Sequence, residues 1–295
     1  MKTRSRTLHP IATIAGMKVW SKATRAAGKT IGLVPTLGGL HDGHLSLVQR
    51  SLATCDATVV SVFVNPTQFG PGEDFDRYPR DLESDRRKLE AAGVAVMFHP
   101  SVEAMYPRGY KTFVDVEAIT DALCGKSRPG FFRGVATVVL KLFNIVQPHQ
   151  AFFGEKDFQQ LAVVETLVRD LNLDVSLVRL PIFREPDGLA MSTRNLYLSP
   201  AERKSARVLS RALEEAQQRV RRGEQSCDQL RTRLRNRIES ENHAQVDYVS
   251  ICDPETFREK DHVGDRALIA LAVRIGQTRL IDNCLVRSFE CSESC

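Results

Sequence analysis

The chain has 295 residues, of which 42% are hydrophobic and 26% are charged, a composition that is ordinary for a folded globular protein and argues against disorder. The formal net charge is only +5, from 41 basic and 36 acidic residues, which suits an anionic substrate but does not indicate a nucleic-acid partner. No run reaches the ~18 apolar residues of a membrane span, and residues 1–10 lack the apolar core of a signal peptide. We therefore expect a cytoplasmic protein with neither a membrane nor a nucleic-acid partner.

Seven cysteines are scattered along the chain without a C-x-x-C pair, so the sequence does not indicate a zinc or disulfide-exchange centre. Their odd number and wide spacing are typical of reduced thiols in a cytosolic protein. Two of them, Cys291 and Cys295, lie in a polar tail that begins at about residue 288. We expect no metal ion held by protein side chains.

The first two thirds of the chain alternate short runs rich in Val and Ile with longer amphipathic segments. This alternation is typical of a doubly wound, Rossmann-like α/β domain, in which helices cover a parallel sheet and ligands bind at the carboxyl ends of the strands. The spacing predicts strands over residues 31–35, 57–64, 94–99 and 175–182, with helices between them over residues 45–55, 82–92, 137–146 and 158–170.

The pattern changes near residue 184, where a turn-forming Glu-Pro-Asp-Gly segment follows. Ser199 and Glu202 flank Pro200 in the pattern of a helix N-cap with a capping box. Consecutive strands after two helices indicate a smaller α+β domain with an antiparallel sheet, so we predict domains over residues 1–184 and 185–295. Its predicted elements are helices over residues 200–222 and 227–240 and strands over residues 245–252, 266–273 and 278–286.

The strongest local pattern is PTLGGLHDGH at residues 35–44, between a predicted strand and a helix that begins near Gly43. Paired glycines let the backbone approach a ligand, and a helix N-terminus offers free N–H groups to phosphate. His41 and His44 are three residues apart, so both imidazoles face one side and can neutralise charge on a phosphate. The alternatives are a metal-binding pair, which lacks a third ligand at a typical distance, or two incidental surface histidines.

The segment FVNPTQF at residues 63–69 follows the second predicted strand. Asn65 and Gln68 there supply neutral donors and acceptors for hydroxyl and carboxylate groups. Taken alone, the Asn-Pro pair indicates only a turn.

The segment FGEKDFQQ at residues 153–160 precedes another predicted helix. Lys156 suits a phosphate, Asp157 suits ribose hydroxyls, and Gln160 lies one turn into the helix on the same side. A charged first helical turn without a ligand is the plainer alternative.

The segment DGLAMSTRN at residues 187–195 predicts a flexible loop whose hydroxyl and guanidinium groups close over a triphosphate. Ser192, Thr193 and Arg194 carry those groups. As an isolated pattern it is more often a surface turn.

Together, the four segments resemble the pantothenate synthetase family, a member of the HxGH nucleotidyltransferase superfamily. The family patterns are P-T-M-G-x-L-H-x-G-H, F-V-N-P-x-Q-F, F-G-x-K-D-x-Q-Q and D-G-L-A-x-S-S-R-N, and the chain departs from them at Leu37 and Thr193. A larger departure is Phe131, which stands where the family has histidine in R-P-G-H-F-x-G-V, whereas Arg128 of that pattern is retained. The resemblance spans about residues 30–285.

The resemblance implies an ATP-dependent ligase that adenylates pantoate and passes the pantoyl group to β-alanine, with Mg²⁺ on the phosphates and typically as a homodimer. It assigns catalytic roles to His41, His44 and Lys156. The residues that it assigns to pantoate or β-alanine are Asn65, Gln68, Arg128 and Gln160. The residues that it assigns to ATP are Leu37, Gly38, Gly39, Leu40, His41, Asp42, Gly43, His44, Gly154, Glu155, Lys156, Asp157, Phe183, Met191, Ser192, Thr193 and Arg194.

Three other functions fit parts of the pattern. A nucleotidyltransferase of the same superfamily with another substrate would keep the histidine pair but has no need of Asn65, Gln68 and Gln160. A non-catalytic nucleotide-binding protein would explain Phe131. RNA binding by the basic helices after residue 200 is the third, and it predicts a strongly salt-dependent affinity.

Overall fold

The computed structural model describes residues 7–287, so the predicted polar tail with Cys291 and Cys295 lies outside the described residues. The chain forms two compact units, and the main passage from one to the other falls between Phe183 and Arg184. Two short segments, Glu117–Ser127 and Lys156–Gln159, belong to the second unit, although the sequence analysis assigned them to the first domain.

The first unit contains a parallel sheet of six strands in the order β1-β4-β3-β2-β5-β6, which confirms the predicted doubly wound class. The chain runs outward from β2 through β3 to β4 and then returns to the other side of β2 to form β5. Strand order therefore reverses between β2 and β5, and in such sheets ligands bind outside the carboxyl ends of the strands at that point. The strands are β1 His9–Ile11, β2 Ile31–Thr36, β3 Ala57–Val62, β4 Val96–Phe98, β5 Gln150–Gly154 and β6 Ser176–Leu180.

Helices accompany these strands, and one apolar core cluster joins side chains of the strands to side chains of the helices. The core between sheet and helices is closed, since Val34, Val48, Leu89 and Phe152 are all fully buried. The sequence analysis did not predict β1, β5 or the first helix. The helices up to residue 170 are α1 Ile14–Ala26, α2 Asp42–Thr54, α3 Leu82–Ala92, α4 Val102–Met105, α5 Leu123–Ser127, α6 Phe131–Val146 and α7 Phe158–Asp170.

The second unit contains the predicted antiparallel sheet, in the order β7-β8-β9. Besides α5, its described residues form three helices between residue 199 and this sheet, where two were predicted. The predicted capping box is present, because Ser199 N–H donates to Glu202 Oε2 (2.8 Å) and Glu202 N–H donates to Ser199 Oγ (3.3 Å). The elements are α8 Pro200–Ala206, α9 Val208–Arg221, α10 Cys227–Glu239, β7 Ala244–Cys252, β8 Ala267–Ile275 and β9 Thr278–Val286.

The prediction of one continuous helix over residues 200–222 is wrong, because the helix is interrupted at Arg207. Residues 205–206 and 208–210 are all buried, and one stripe of a straight helix cannot bury so many neighbouring positions. A break at Arg207 lets α8 and α9 each bury a face of their own. None of the helices described here combines the length and the apolar character that a membrane span requires.

Candidate active site

The loop between β2 and α2, residues 36–44, is called the histidine loop below. Gly38 and Gly39 adopt φ angles of +86° and +61°, a region that disfavours any side chain. A Cβ atom at Gly38 would also lie 3.0 Å from Val62 Cγ1. Both glycines are therefore required by the path of the backbone.

The backbone N–H groups of this loop donate to acceptors within the protein. Gly38 N–H donates to Thr36 Oγ1 (3.2 Å), Gly39 N–H to Asp85 Oδ2 (2.9 Å) and Leu40 N–H to Asp85 Oδ1 (2.7 Å). The glycines were predicted to bring the backbone close to a ligand, whereas these three backbone N–H groups stabilise the loop itself. The positive end of α2 and the imidazoles are then the groups that suit a phosphate.

The two imidazoles of the loop stack on each other. Their ring centroids are 3.9 Å apart and the planes meet at 20°. His41 is the N-cap of α2, and its backbone N–H donates to Nδ1 of the His44 ring at 3.4 Å. Because Nδ1 is an acceptor here, the proton of a neutral His44 ring lies on Nε2. His44 thus presents a fixed Nε2–H donor.

Gly43 lies between the two histidines, at a position with little room for a side chain. A Cβ atom there would lie 3.0 Å from His41 Cε1 and Nδ1 and 3.6 Å from the Cβ atom of Phe183. The structure therefore brings Phe183, a predicted ATP residue, next to the start of α2. Its ring is 40% exposed, which is high for a Phe side chain.

The turn that follows β3, residues 65–68, is called the amide turn below. Asn65 is fully buried, and its Nδ2 donates to Gln68 Oε1 (2.9 Å) and to the Gly134 carbonyl (3.2 Å). Its Oδ1 accepts from Thr67 Oγ1 (2.9 Å) and from Thr67 N–H (3.3 Å). Every polar atom of the Asn65 side chain is thus used within the protein.

These contacts fix the orientation of Gln68. The Thr67 N–H can only donate, so Asn65 must turn Oδ1 toward it and Nδ2 toward Gln68. Gln68 in turn presents Oε1 to Asn65, which directs its Nε2 away. Within residues 7–287 this Nε2 makes no hydrogen bond. Gln68 is therefore a preoriented donor for an oxygen of a ligand.

Helix α6 packs closely on the amide turn at Gly134. A Cβ atom at this position would collide with the Thr67 carbonyl, so only glycine allows the approach. The same residue supplies the carbonyl that accepts from Asn65. This contact explains the glycine in the segment that follows Phe131.

Arg128 is committed to protein partners. Its guanidinium donates to both carboxylate oxygens of Glu73 (2.7 and 2.6 Å) and to the Gln68 carbonyl (2.9 Å). It also lies over the Phe131 ring, with its central carbon 3.8 Å from the centroid. The residue that departs from the family pattern thus supports the arginine that holds the amide turn.

The start of α7 carries two glutamines, of which Gln159 holds the backbone and Gln160 has an amide without a hydrogen-bond partner within residues 7–287. Gln159 Nε2 donates to the Ile119 and Ala122 carbonyls (2.9 and 2.8 Å), and its Oε1 accepts from Cys124 N–H (3.0 Å). The amide of Gln160, by contrast, makes no hydrogen bond within the described part of the chain. No role for Gln159 was predicted from the sequence. The one sequence feature that could have indicated it is its position next to Gln160.

Other predicted residues of this segment lie at the end of β5 and in the turn after it. Gly154 ends β5, and a Cβ atom there would meet nothing within 4 Å. Lys156 Nζ lies 3.7 Å from Asp157 Oδ2, and the Lys156 carbonyl accepts from Asn283 Nδ2 (2.9 Å). The Lys156 side chain is 20% exposed, so its ammonium is accessible to an anion.

The loop over residues 185–195 is anchored by ion pairs, whereas the sequence analysis predicted a flexible loop. Arg203 donates to Glu185 (2.6 Å) and Asp187 (3.1 Å), and Asn195 Nδ2 donates to Glu185 Oε1 (2.6 Å). Arg184 connects the Gly188 carbonyl (3.1 Å) to the buried Asp282 on β9. This network fixes both ends of the loop.

The predicted nucleotide residues of this loop differ in exposure. Thr193 is buried, whereas Met191, Ser192 and Arg194 are half-buried. The Ser192 hydroxyl caps a short 3-10 turn by accepting from Arg194 N–H (3.3 Å). Ser192 and Arg194 are therefore the loop residues that suit contact with a ligand.

A cavity of about 270 Å³ lies at the carboxyl ends of β2, β3 and β4. It borders the histidine loop at Leu37 and Gly38 and has a mostly apolar wall. This edge of the sheet is therefore concave beside the loop.

Three arginines of α10, Arg231, Arg235 and Arg237, are paired with acidic neighbours. Arg231 contacts Asp228 (2.5 Å) and Glu259 (2.8 Å), and Arg235 contacts Glu239 (3.1 Å). These ion pairs offset part of the positive charge of α10, one of the basic helices on which the RNA-binding alternative rested.

Comparison with known proteins gives one consistent family. Residues 9–285 match the family model described as pantoate-beta-alanine ligase. The pantothenate synthetase of Acetivibrio thermocellus is 56% identical over 276 residues, which cover 94% of this chain and 98% of that protein. The pantothenate synthetase of Geobacter sulfurreducens is 54% identical over the same length and coverage.

Solved structures agree with the sequence comparison. A crystal structure of pantothenate synthetase from Thermus thermophilus has a TM-score of 0.87 at 46% identity and covers 94% of this chain and 98% of its own. A Francisella tularensis pantoate-beta-alanine ligase, complexed with beta-gamma ATP and beta-alanine, has a TM-score of 0.81 at 33% identity, with 95% of this chain and 98% of its own covered. The resemblance inferred from four short motifs is thereby confirmed, and the chain belongs to the pantoate–β-alanine ligase family.

Proposed function

We propose that this protein condenses pantoate with β-alanine to form pantothenate, with ATP converted to AMP and pyrophosphate through a pantoyl adenylate. The observation that carries the proposal is the stacked histidine pair at the start of α2, directly after β2 at the reversal of strand order. It occurs in a chain that matches pantothenate synthetases over nearly its full length.

In the first step the pantoate carboxylate attacks the α-phosphate of ATP. The two anions repel each other, and negative charge grows on the phosphate oxygens as pyrophosphate leaves. The His44 Nε2–H and the N-terminus of α2 supply hydrogen bonds and positive potential for that charge. His41 supports this arrangement by stacking on His44 and by donating its backbone N–H to His44 Nδ1.

For pantoate, we assign direct contact to the amides of Gln68 and Gln160. Both are without a protein partner within residues 7–287, and Gln68 is held with its Nε2 directed away from Asn65. For Asn65 and Arg128 we propose a supporting role instead of the direct substrate contact that the family resemblance implies. Their polar atoms hold the amide turn, and so they orient Gln68.

For the nucleotide, we assign contacts with phosphate oxygens to Lys156, Ser192 and Arg194 and contacts with ribose hydroxyls to Asp157. Among the described residues no group of three His, Cys, Asp or Glu side chains is arranged to hold a metal ion. Mg²⁺ therefore enters with ATP, on triphosphate oxygens and water, as is usual for this ion in nucleotide enzymes. When bound, it neutralises part of the phosphate charge.

In the second step the amine of β-alanine attacks the carbonyl of the adenylate, which forms the amide and expels AMP. No protein nucleophile is needed, because the adenylate is already an activated acyl group. The mixed anhydride also reacts with water, so the site must exclude water until the amine arrives.

We further propose a homodimer in the cytoplasm, which the family resemblance alone supports. Light scattering of the purified protein tests the dimer. A mass close to twice 33.0 kDa is expected, and a mass of one chain would contradict it.

The function is tested by measuring AMP, pyrophosphate and pantothenate formed from ATP, Mg²⁺, pantoate and β-alanine. With pantoate and β-alanine both present, all three products should appear in equal amounts, and sustained turnover should require both. Nucleotide binding without any turnover would contradict the proposal and favour a non-catalytic homologue.

A further inference from the structure

Two side chains of α3 hold the histidine loop by its backbone. The Asp85 carboxylate accepts from Gly39 N–H (2.9 Å) and Leu40 N–H (2.7 Å), and the Lys88 ammonium donates to the Leu40 carbonyl (2.6 Å). The two residues are three apart on α3 and so lie on one face of the helix. Together they fix the peptide groups on both sides of Leu40, the residue directly before His41.

Closing a turn does not require the charged hydrogen-bond partners that Asp85 and Lys88 supply. Asp85 is only 2% exposed, and burial raises the pKa of its carboxyl, opposed in part by the two backbone N–H groups and by Lys88. A buried carboxylate is costly unless it is well hydrogen-bonded. The neighbouring Gly38 N–H is satisfied by the neutral hydroxyl of Thr36, so turn closure alone does not explain a charged acceptor.

The contact reaches the imidazoles through consecutive N–H groups. The backbone N–H groups of Gly39 and Leu40 donate to the Asp85 carboxylate. The backbone N–H of the following residue, His41, donates to His44 Nδ1. A shift at Leu40 therefore moves the N–H that sets the tautomer and direction of His44. Misplacement of a catalytic group by about 1 Å costs on the order of a hundredfold in rate.

We propose that Asp85 and Lys88 are positioning residues of the adenylation step, which act by fixing the histidine loop so that His44 meets the transition state. This inference rests on the proposed function. It predicts that loosening the loop lowers kcat while leaving nucleotide affinity nearly unchanged, because the misplaced donor acts chiefly on charge that develops in the transition state.

Asp85→Asn tests the inference with a side chain of nearly the same size. The amide nitrogen of Asn cannot accept, so one of the two loop N–H groups loses its partner. Pantoate-dependent pyrophosphate release should fall by about 10- to 100-fold in kcat, with KM for ATP within about threefold of wild type. Hydrogen exchange of the amides in residues 36–44 should become faster in the same protein.

Asp81→Asn is the matched control. Asp81 is the N-cap of α3 and, like Asp85, accepts a backbone N–H, but from Ser84 of its own helix (2.9 Å) rather than from the loop. The same change of charge there should leave kcat and loop exchange as in wild type. Lys88→Met should lower kcat about threefold, because it removes one hydrogen bond from the same backbone.

Wild-type enzyme assayed in parallel separates the two proposals, since an inactive wild type contradicts the function and not the positioning role. With an active wild type, an Asp85→Asn protein with kcat within about twofold and unchanged loop exchange would overturn the inference. If Asp85→Asn does not fold, Lys88→Met decides. A lowered kcat with faster loop exchange then supports the inference, and unchanged values of both overturn it.

Discussion

The histidine loop and the amide turn both follow strands of the parallel sheet, but they are held in different ways. The histidine loop depends on a helix more than forty residues further along the chain, through Asp85 and Lys88. The amide turn is held by its own Asn65, with help from Arg128 and Gly134. Residues within one motif thus divide into those that support the backbone and those to which we assign contact with a ligand.

The largest effect is expected at the ligand-directed side of the histidine loop. His44→Ala removes the Nε2–H donor, and loss of one such preorganised donor typically costs about 100- to 1000-fold in kcat. Initial rates of pyrophosphate release measure this change, and a melting curve close to wild type shows that the fold is kept. Pyrophosphate release at a near-normal rate would remove His44 from the mechanism.

In the amide turn, contact with the ligand and support of the backbone can be tested separately, at Gln68 and at Asn65. Gln68→Ala should raise KM for pantoate by about tenfold with little loss of stability, because its Nε2 has no protein partner in the described structure. Asn65→Ala should raise the same KM and also lower the free energy of unfolding by about 1–3 kcal/mol, since it leaves buried polar groups unpaired. Kinetics and urea unfolding of both variants check this. Equal stability losses would contradict the division.

Substitutions of Arg128 and Phe131 are expected to have a smaller effect on the kinetics. If Arg128 acts only through the amide turn, Arg128→Lys should raise KM for pantoate by severalfold, because lysine cannot keep the bidentate contact with Glu73 and the stacking on Phe131. Phe131→His should change activity by less than about threefold, since the ring supports the guanidinium and imidazole can still stack. A tenfold gain in activity of Phe131→His would show instead that an imidazole is needed at the substrate.

The smallest effect is expected at the start of β2, where His149 contrasts with the histidine pair that follows the other end of the strand. His149 Nδ1 accepts from Ile31 N–H (3.0 Å), and burial together with the nearby Arg25 lowers the pKa of this imidazole. The unfolded chain, with a pKa of about 6.5, then binds a proton before the folded state does as pH falls. Stability from this group is therefore complete above about pH 6.5 and declines below it.

Urea unfolding of wild type and His149→Gln between about pH 7.5 and about pH 5.5 measures that contribution. The variant should show a flatter decline of unfolding free energy toward acid pH, with kcat unchanged. A steeper decline in the variant would contradict the assigned direction.

The sequence predicted the doubly wound class, because periodic apolar runs and turn residues are local signals. It missed β5, a five-residue strand directly before a motif, and the break at Arg207, which depends on burial of both flanks by tertiary packing. Motif resemblance identified Asn65 and Arg128 but not the hydrogen bonds by which they hold the amide turn. Asp85 had no local signal, since its partners lie 45 and 46 positions away.

The central claim is that the site activates pantoate as an adenylate before β-alanine takes part. Exchange of labelled pyrophosphate into ATP, measured with Mg²⁺ and pantoate but without β-alanine, tests it most directly. We predict steady exchange that requires pantoate and is strongly reduced in His44→Ala. Pantothenate synthesis without any such exchange, or exchange that does not depend on pantoate, would contradict the account.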